Sequence, residues 1–314
     1  RHRAGLHWDL ALMYAGQGEK EKALRHNVGV GSREFGLRDE RASLLEQLTS
    51  ADQETRIQAT TALCLANALK RAQNRRAALR KARRAEQLLP DSPLITCWKL
   101  GIRENLGGRD KAIAGFRQLI EEYPDLLTPR IRLAETYAAD KEPQQAVETL
   151  RGALNAASEQ ESGLLQLYIA RLYERMKEYD HALENYRAAI RAGTESFEAY
   201  NNMAYILASH KDKPGAALPL AEKAVELAGP RPRILDTLGW AHCLNGNYDE
   251  AIKHLERARD GLPQLPEIRY HLGVAYQHAG NTEKAAEELR QALNISTSFP
   301  HAEEARNMLN NLSG

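Results

Sequence analysis

Apolar residues recur at intervals of three and four along most of this chain, which is the spacing of amphipathic α-helices. Between Leu235 and Ala292 the pattern also repeats after 34 residues. The repeat pairs Leu238 with Leu272, Gly239 with Gly273, Gly246 with Gly280, Ala251 with Ala285, and Leu255 with Leu289. A fixed period of this length predicts a stack of repeats, each of which buries its apolar face against its neighbours.

Small residues at fixed places predict two helices in each repeat. Gly246 and Gly280 follow a first helix, at the place where a residue with positive φ often ends a helix. Ala251 and Ala258 are two helical turns apart on the second helix, on the face that packs against the first. The alanine at position 251 recurs at steps of 34, 34, 36, 35, 34 and 34 residues: Ala78, Ala112, Ala146, Ala182, Ala217, Ala251 and Ala285.

This pattern resembles that of tetratricopeptide (TPR) repeats. Leu272-Gly273-x2-Tyr276 matches the family motif, whereas the preceding copy carries His242 in place of the tyrosine. The resemblance covers nearly all of the chain and implies an all-α, right-handed α-solenoid with a C-terminal capping helix. About eight helix-turn-helix repeats are expected in a single superhelix over residues 1–314, at about 4–37, 59–92, 93–126, 127–162, 163–196, 197–231, 232–265 and 266–299.

Two segments depart from the repeat. Residues 38–58 form an irregular insertion, within which Ala42 to Leu48 is predicted to be helical. Residues 300–312 are apolar on one side and rich in Glu, Arg and Asn on the other, as expected of a cap.

Composition and motifs argue against catalysis. The chain is 43% hydrophobic and 27% charged, with a formal net charge of +1, so no bulk field calls for a polyanionic partner. Its three cysteines are far apart without a C-x-x-C, which argues against a disulfide framework or a zinc site. No phosphate-binding, dinucleotide-binding, zinc-protease or serine-hydrolase motif is present. The sequence therefore predicts a non-enzymatic protein without metal or cofactor.

The resemblance implies that the first helices line a concave groove that binds a peptide or protein segment. The family's groove-facing positions, carried onto this chain, are occupied by Trp8, Asn67, Arg132, Arg171, Arg175, Asn201, Asn202, Tyr205, Asp236, Trp240, Tyr270, His271 and His278. Trp and Arg are common binding anchors, so Trp240 is a candidate anchor. The alternative is that Trp240 packs against the next repeat and contacts little solvent.

A second candidate surface is a run of basic residues. It consists of Lys70, Arg71, Arg75, Arg76, Arg80, Lys81, Arg83 and Arg84. Such a patch could bind phosphate, an acidic partner or an anionic surface. The alternative is a solvated outer face, and nucleic acid is the less favoured ligand because stacking aromatic residues are lacking nearby.

The leading hypothesis is a protein–protein interaction scaffold. Residues 201–208, 235–240 and 302–306 resemble bacterial TPR proteins of the cell envelope, including those associated with exopolysaccharide export, which implies a role in a secretion assembly. A regulatory or targeting module of a larger enzyme is the alternative.

The chain starts without Met, so a fragment or processed form is expected, in the cytoplasm or periplasm. The sequence has no run of apolar residues long enough to span a membrane. It leaves open whether copies of the chain associate through the ends of the solenoid.

Overall fold

The computed structural model describes residues 2–27, 38–155 and 157–313, which fold into 18 helices without a strand. Residues 28–37 of the first expected repeat lie outside the described residues. The helices are α1 His2–Gly16, α2 Lys20–Asn27, α3 Arg38–Ser50, α4 Gln53–Arg71, α5 Arg75–Leu88, α6 Pro93–Glu104, α7 Arg109–Glu122, α8 Leu127–Ala139, α9 Pro143–Leu154, α10 Glu159–Arg175, α11 Tyr179–Arg191, α12 Phe197–His210, α13 Pro214–Ala228, α14 Pro232–Leu244, α15 Tyr248–Gly261, α16 Pro266–His278, α17 Thr282–Ile295 and α18 Ala302–Ser313.

The helices form two compact units, which are unit 1 (residues 1–157) and unit 2 (residues 158–314). Within each unit, consecutive helices pack in pairs. In unit 2 the first helices of neighbouring pairs also touch, α12 with α14 and α14 with α16. The all-helical repeat architecture expected from the sequence is therefore confirmed. One superhelix over residues 1–314 stays a prediction.

The turn between the two helices of each pair contains a residue in the left-handed region of φ. Gly246 and Gly280 have φ of 78° and 81°, which confirms their predicted role. Five further turns between paired helices use the same geometry, at Gly18, Gln73, Gly107, Lys141 and Lys177. The turn between α12 and α13 has Asp212 at φ 49°. Non-glycine residues occupy this conformation at a cost of about 1–2 kcal/mol each, so packing of the pair must outweigh that cost.

The alanine ladder lies where each pair of helices comes together. All seven of its alanines, from Ala78 to Ala285, are fully buried. In the pair formed by α14 and α15, a Cβ on Gly239 would lie 2.6 Å from Leu255 Cγ and 3.1 Å from the Ala251 carbonyl oxygen. These side chains are small because the two backbones approach so closely.

Helix α3 belongs to the expected insertion and packs inside unit 1. It contacts α1, α2, α4 and α6. Leu44, Leu45 and Leu48 on its apolar face are buried in the core of the unit. Arg41 is also buried, and its Nε donates a hydrogen bond to Asn27 Oδ1 at 2.6 Å.

Glu40 attaches the start of α3 to a distant helix of unit 1. Its Oε1 accepts hydrogen bonds from the backbone amides of Leu127 (2.7 Å) and Thr128 (3.0 Å), and its Oε2 accepts one from the Thr128 hydroxyl. These amides are at the N-terminus of α8, where a carboxylate satisfies free donors and meets the positive end of the helix dipole. Glu40 therefore acts as a capping residue supplied from outside the helix.

No helix among the described residues combines the length and the apolarity that crossing a bilayer requires.

Candidate functional site

Five rings gather on the first helices of unit 2, and we call them the aromatic cluster: Tyr205 on α12, Trp240 on α14, Tyr270 and His271 on α16, and His301 just before α18. Trp240 stacks on His271 with ring centroids 4.3 Å apart, and Tyr270 stacks on His301 at 4.6 Å. The ring centroids of Trp240 and Tyr270 are 6.3 Å apart. Tyr205 meets His210 of its own helix edge-on at 5.6 Å, and its hydroxyl is hydrogen-bonded to Ser209, which also accepts from the Trp240 indole. Three neighbouring first helices and the cap thus contribute to one surface.

Polar contacts hold Trp240 and His271 in place. The Trp240 indole Nε1 donates to Ser209 Oγ at 3.0 Å, across to α12. His271 Nδ1 lies 2.8 Å from Asp236 Oδ1 on α14, and the histidine is only 2% exposed. Trp240 itself is 8% exposed. Of the two interpretations of Trp240, the structure agrees with the second, because the indole packs against Tyr270 and His271 of the next repeat and contacts little solvent.

The predicted residues on α10 and α12 form a second, adjoining network. Asn202 Nδ2 donates to Glu174 Oε2 (3.0 Å) and to the Tyr186 hydroxyl (2.8 Å), while that hydroxyl donates to the same carboxylate oxygen at 2.6 Å. Burial, and then the adjacent carboxylate, raises the pKa of Tyr186. Arg171 lies 3.7 Å from Glu198, so its charge is paired. This network fixes α10 against α12.

In unit 1 the residues predicted to contact a partner contact the chain itself. Trp8 is 3% exposed and lies in the same apolar core as Leu45 of α3. Asn67 Nδ2 donates to Asp9 Oδ1 at 2.7 Å. Arg132 lies 3.1 Å from a glutamate one turn further along α8. Helix α3 packs on the first helices α1, α4 and α6 of unit 1, and these internal bonds engage the predicted side chains.

The remaining candidates lie apart from the aromatic cluster. His278 is exposed and stacks on Tyr248 at 5.3 Å, and Arg175 is exposed at the end of α10. Within the basic run, Arg71 pairs with Asp9 at 2.5 Å. The residues of that run on α5 are exposed: Arg75, Arg76, Arg80, Lys81, Arg83 and Arg84. They give α5 a basic, solvated face.

His301, His210 and Ser209 belong to the surface but were missed by sequence reasoning. His301 had a usable signal, because counting the capping segment as a further repeat from Pro300 puts this histidine at a groove-facing position. Burial lowers the pKa of both His210 and His301, so the neutral ring is favoured at each.

The thiols offer no sign of reactive chemistry. Burial raises the pKa of Cys64, Cys97 and Cys243 to about 12 each, so the nucleophilic thiolate is disfavoured. Among the described residues no group of His, Cys, Asp and Glu is arranged to hold a metal ion.

Two further histidines lead us to expect that the stability of unit 2 depends on pH. His242 and His254 stack at 5.6 Å, and each has a buried Nδ1 without a hydrogen-bond partner among the described residues. Burial lowers the pKa of both, against the opposing attraction of Glu250. The unfolded chain therefore binds more protons than the folded one, so the stabilisation is full above the unfolded pKa of about 6.5 and is lost as pH falls below it.

We expect the urea midpoint of unit 2 to fall when the pH is lowered from about 7 to about 5. The decrease should be smaller in a His254→Phe variant, which keeps a stacked ring but cannot be protonated. His278→Phe, at an exposed histidine, is the matched control and should leave the decrease unchanged. Equal pH slopes in the wild type and His254→Phe would contradict the assignment.

Comparison with family models identifies the repeats. Models described as tetratricopeptide repeat match residues 4–26, 98–126, 168–232 and 244–309. A curated relative, the general transcriptional corepressor ssn6 of Schizosaccharomyces pombe, is 25% identical over 179 residues. That match covers 55% of this chain, whereas the chain spans only 15% of the relative's length.

Solved structures show the same fold. The TPR protein YrrB, described as having an unusual peptide-binding site, is 26% identical over 61% of this chain and 97% of its own, with a TM-score of 0.50. The Cut9–Hcn1 hetero-tetramer of the APC/C is similar over 98% of this chain and 66% of its own, at 17% identity and a TM-score of 0.58. A tetratricopeptide repeat protein from Parabacteroides merdae ATCC 43184 covers 82% of this chain and 99% of its own, at 12% identity and a TM-score of 0.55.

Proposed function

We propose that this chain, a tetratricopeptide repeat protein, is a non-enzymatic scaffold that binds a peptide or protein segment on the first-helix surface of unit 2. The observation that carries the proposal is the aromatic cluster, in which rings of α14, α16 and the capping segment contact one another and Tyr205 of α12 joins them through Ser209. Aromatic residues dominate binding hot spots because they contribute a large contact area at a small cost in side-chain entropy. The similarity to YrrB adds support, since that TPR protein has a peptide-binding site.

The two units are expected to differ in this role. In unit 1, helix α3 packs on first helices α1, α4 and α6, and the predicted binding residues are paired internally. In unit 2, Tyr205 is half-buried, so part of its ring can contact a partner. The partner site is therefore proposed for unit 2 alone.

Replacing Tyr205 tests this site. We expect Tyr205→Ala to weaken partner binding by about tenfold, or roughly 1.4 kcal/mol, because a hot-spot tyrosine is truncated. The measurement is capture by the immobilised chain, followed by titration of the recovered partner against each variant. Tyr200→Ala is the control. Tyr200 is also half-buried on α12, but it interacts electrostatically with Lys223 of α13 and is not part of the aromatic cluster. Equal losses in the two variants, or none in either, would refute the site.

We also propose that the scaffold works within an assembly of the bacterial cell envelope, such as a polysaccharide-export complex. Its support is the likeness of residues 201–208, 235–240 and 302–306 to repeat proteins of that class. Recovery of the chain in a purely cytosolic fraction of its source cells would count against this location.

A further inference from the structure

The first helices of unit 2 carry hydrogen-bond acceptors for which the described part of the chain supplies no donor. Asn201 Oδ1 on α12 and Glu267 Oε2 on α16 are shielded from solvent and have no hydrogen-bond partner among the described residues. Most buried polar atoms in folded proteins are paired, and an unpaired acceptor costs about 1–3 kcal/mol. Within the described residues, this oxygen of the Glu267 carboxylate is therefore not compensated by any hydrogen bond.

Carboxylates surround the aromatic cluster. Asp236 and Glu267 both act electrostatically on Tyr205, and Glu267 and Glu304 both act on His301. Burial, followed by the charge of Glu304, raises the pKa of Tyr270 to about 12. The rings therefore lie in a negative local field, and the exposed side chain of Glu304 adds to it at the cap.

Two arginines of unit 2 are paired with other carboxylates and so do not cancel this field. Arg171 is paired with Glu198, and Arg269 lies 2.6 Å from Glu288 of α17, which also pairs with Arg259 of α15. Arg233, in the exposed first turn of α14, is the other arginine of α14 and α16. Asp236, Glu267 and Glu304 thus act on the rings, whereas Arg171 and Arg269 are paired with other carboxylates.

We propose that the partner segment binds this surface through an arginine side chain, held against the rings of the aromatic cluster and bonded to Asp236 and Glu267. The guanidinium group suits the site in two ways. It carries five donors in a rigid plane, which can satisfy more than one carboxylate or amide acceptor at once. It also lies favourably on aromatic faces, and a weakly hydrated guanidinium costs less to desolvate than an ammonium group. This inference rests on the proposed peptide-binding function and specifies its ligand.

Peptide pools that differ at one position test the proposal directly. The full chain is titrated with amidated decapeptide pools whose fixed central residue is arginine, lysine, citrulline, leucine or glutamate. We expect the arginine pool to bind about tenfold more tightly than the citrulline pool, which has the same shape without the charge. Binding of the arginine pool should also weaken with salt, because exposed charges are screened.

Removing the carboxylates separates this inference from the proposed function. Asp236→Asn combined with Glu267→Gln keeps the shape of both side chains, and we expect it to abolish the preference for arginine over citrulline. Glu283→Gln combined with Glu287→Gln makes the same charge change on exposed positions of α17 and should leave the preference intact.

Each outcome has one meaning. If the pools bind, and lose affinity in Tyr205→Ala, but arginine has no advantage over citrulline, the arginine site is wrong and the scaffold function stands. Strongest binding by the glutamate pool likewise overturns the arginine site. If no pool binds at all, both the arginine site and the peptide-binding function fall.

Discussion

Replacing Trp240 with alanine is expected to lower the unfolding free energy of unit 2 by about 3–5 kcal/mol, the usual cost of truncating a buried tryptophan. The indole is 8% exposed, stacks on His271 and donates a hydrogen bond to Ser209, so its loss leaves a cavity and removes that hydrogen bond. Because repeat arrays often unfold in steps, amide hydrogen exchange in α14 and α16 is the measurement to use, together with a urea titration.

Two milder variants divide this loss into its parts. Trp240→Phe keeps a stacked ring and should cost much less than alanine. Ser209→Ala removes the acceptor of the indole N–H together with a hydrogen bond to Tyr205, and we expect a loss of about 1–2 kcal/mol. A Trp240→Ala chain as stable as the wild type would mean that the indole lies in solvent and that the packing described for α14 and α16 is wrong.

Replacing Ala251 with leucine is expected to destabilise unit 2 by about 1–3 kcal/mol through overpacking. Ala251 is fully buried, and its carbonyl oxygen is already within 3.1 Å of the position that a Cβ on Gly239 would take. A leucine side chain here must push α14 and α15 apart. The urea midpoint and the exchange rates of amides in α15 should both report the change.

Ala216→Leu on α13 is the matched control. It makes the same substitution at an exposed position of a helix in the same unit, so we expect a change within about 0.5 kcal/mol. If the two variants are equally stable, the alanine ladder does not mark the contact between paired helices.

The helix pairs could be predicted from the sequence because their signals are local. Gly246 and Gly280 lie in the left-handed region as predicted, and each ladder alanine is buried. The turns at Gln73, Lys141 and Lys177 had no such signal, since these residue types rarely adopt positive φ. There the repeat spacing, rather than the residue itself, indicates the turn.

The candidate site could be predicted only in part because its contacts join helices that are distant in sequence. The groove-facing positions of the family brought Asp236, Trp240, Tyr270 and His271 to one place. The same positions in unit 1 gave Trp8 and Asn67, which contact the chain itself. Nothing local to Glu40 indicates that its carboxylate reaches α8, because the bonded residues are 87 and 88 positions away.

The bridge from Glu40 to α8 has a consequence for how unit 1 folds. Contacts in repeat arrays usually join neighbours, so such arrays can open from an end, one repeat at a time. The bridge closes a loop of 87 positions between Glu40 and Leu127. Closing so long a loop costs chain entropy before any contact compensates for it, which slows folding. Once formed, the bridge ties the loss of α8 to the release of α3. We therefore expect unit 1 to open as one cooperative block, whereas the terminal repeats of unit 2 fray independently.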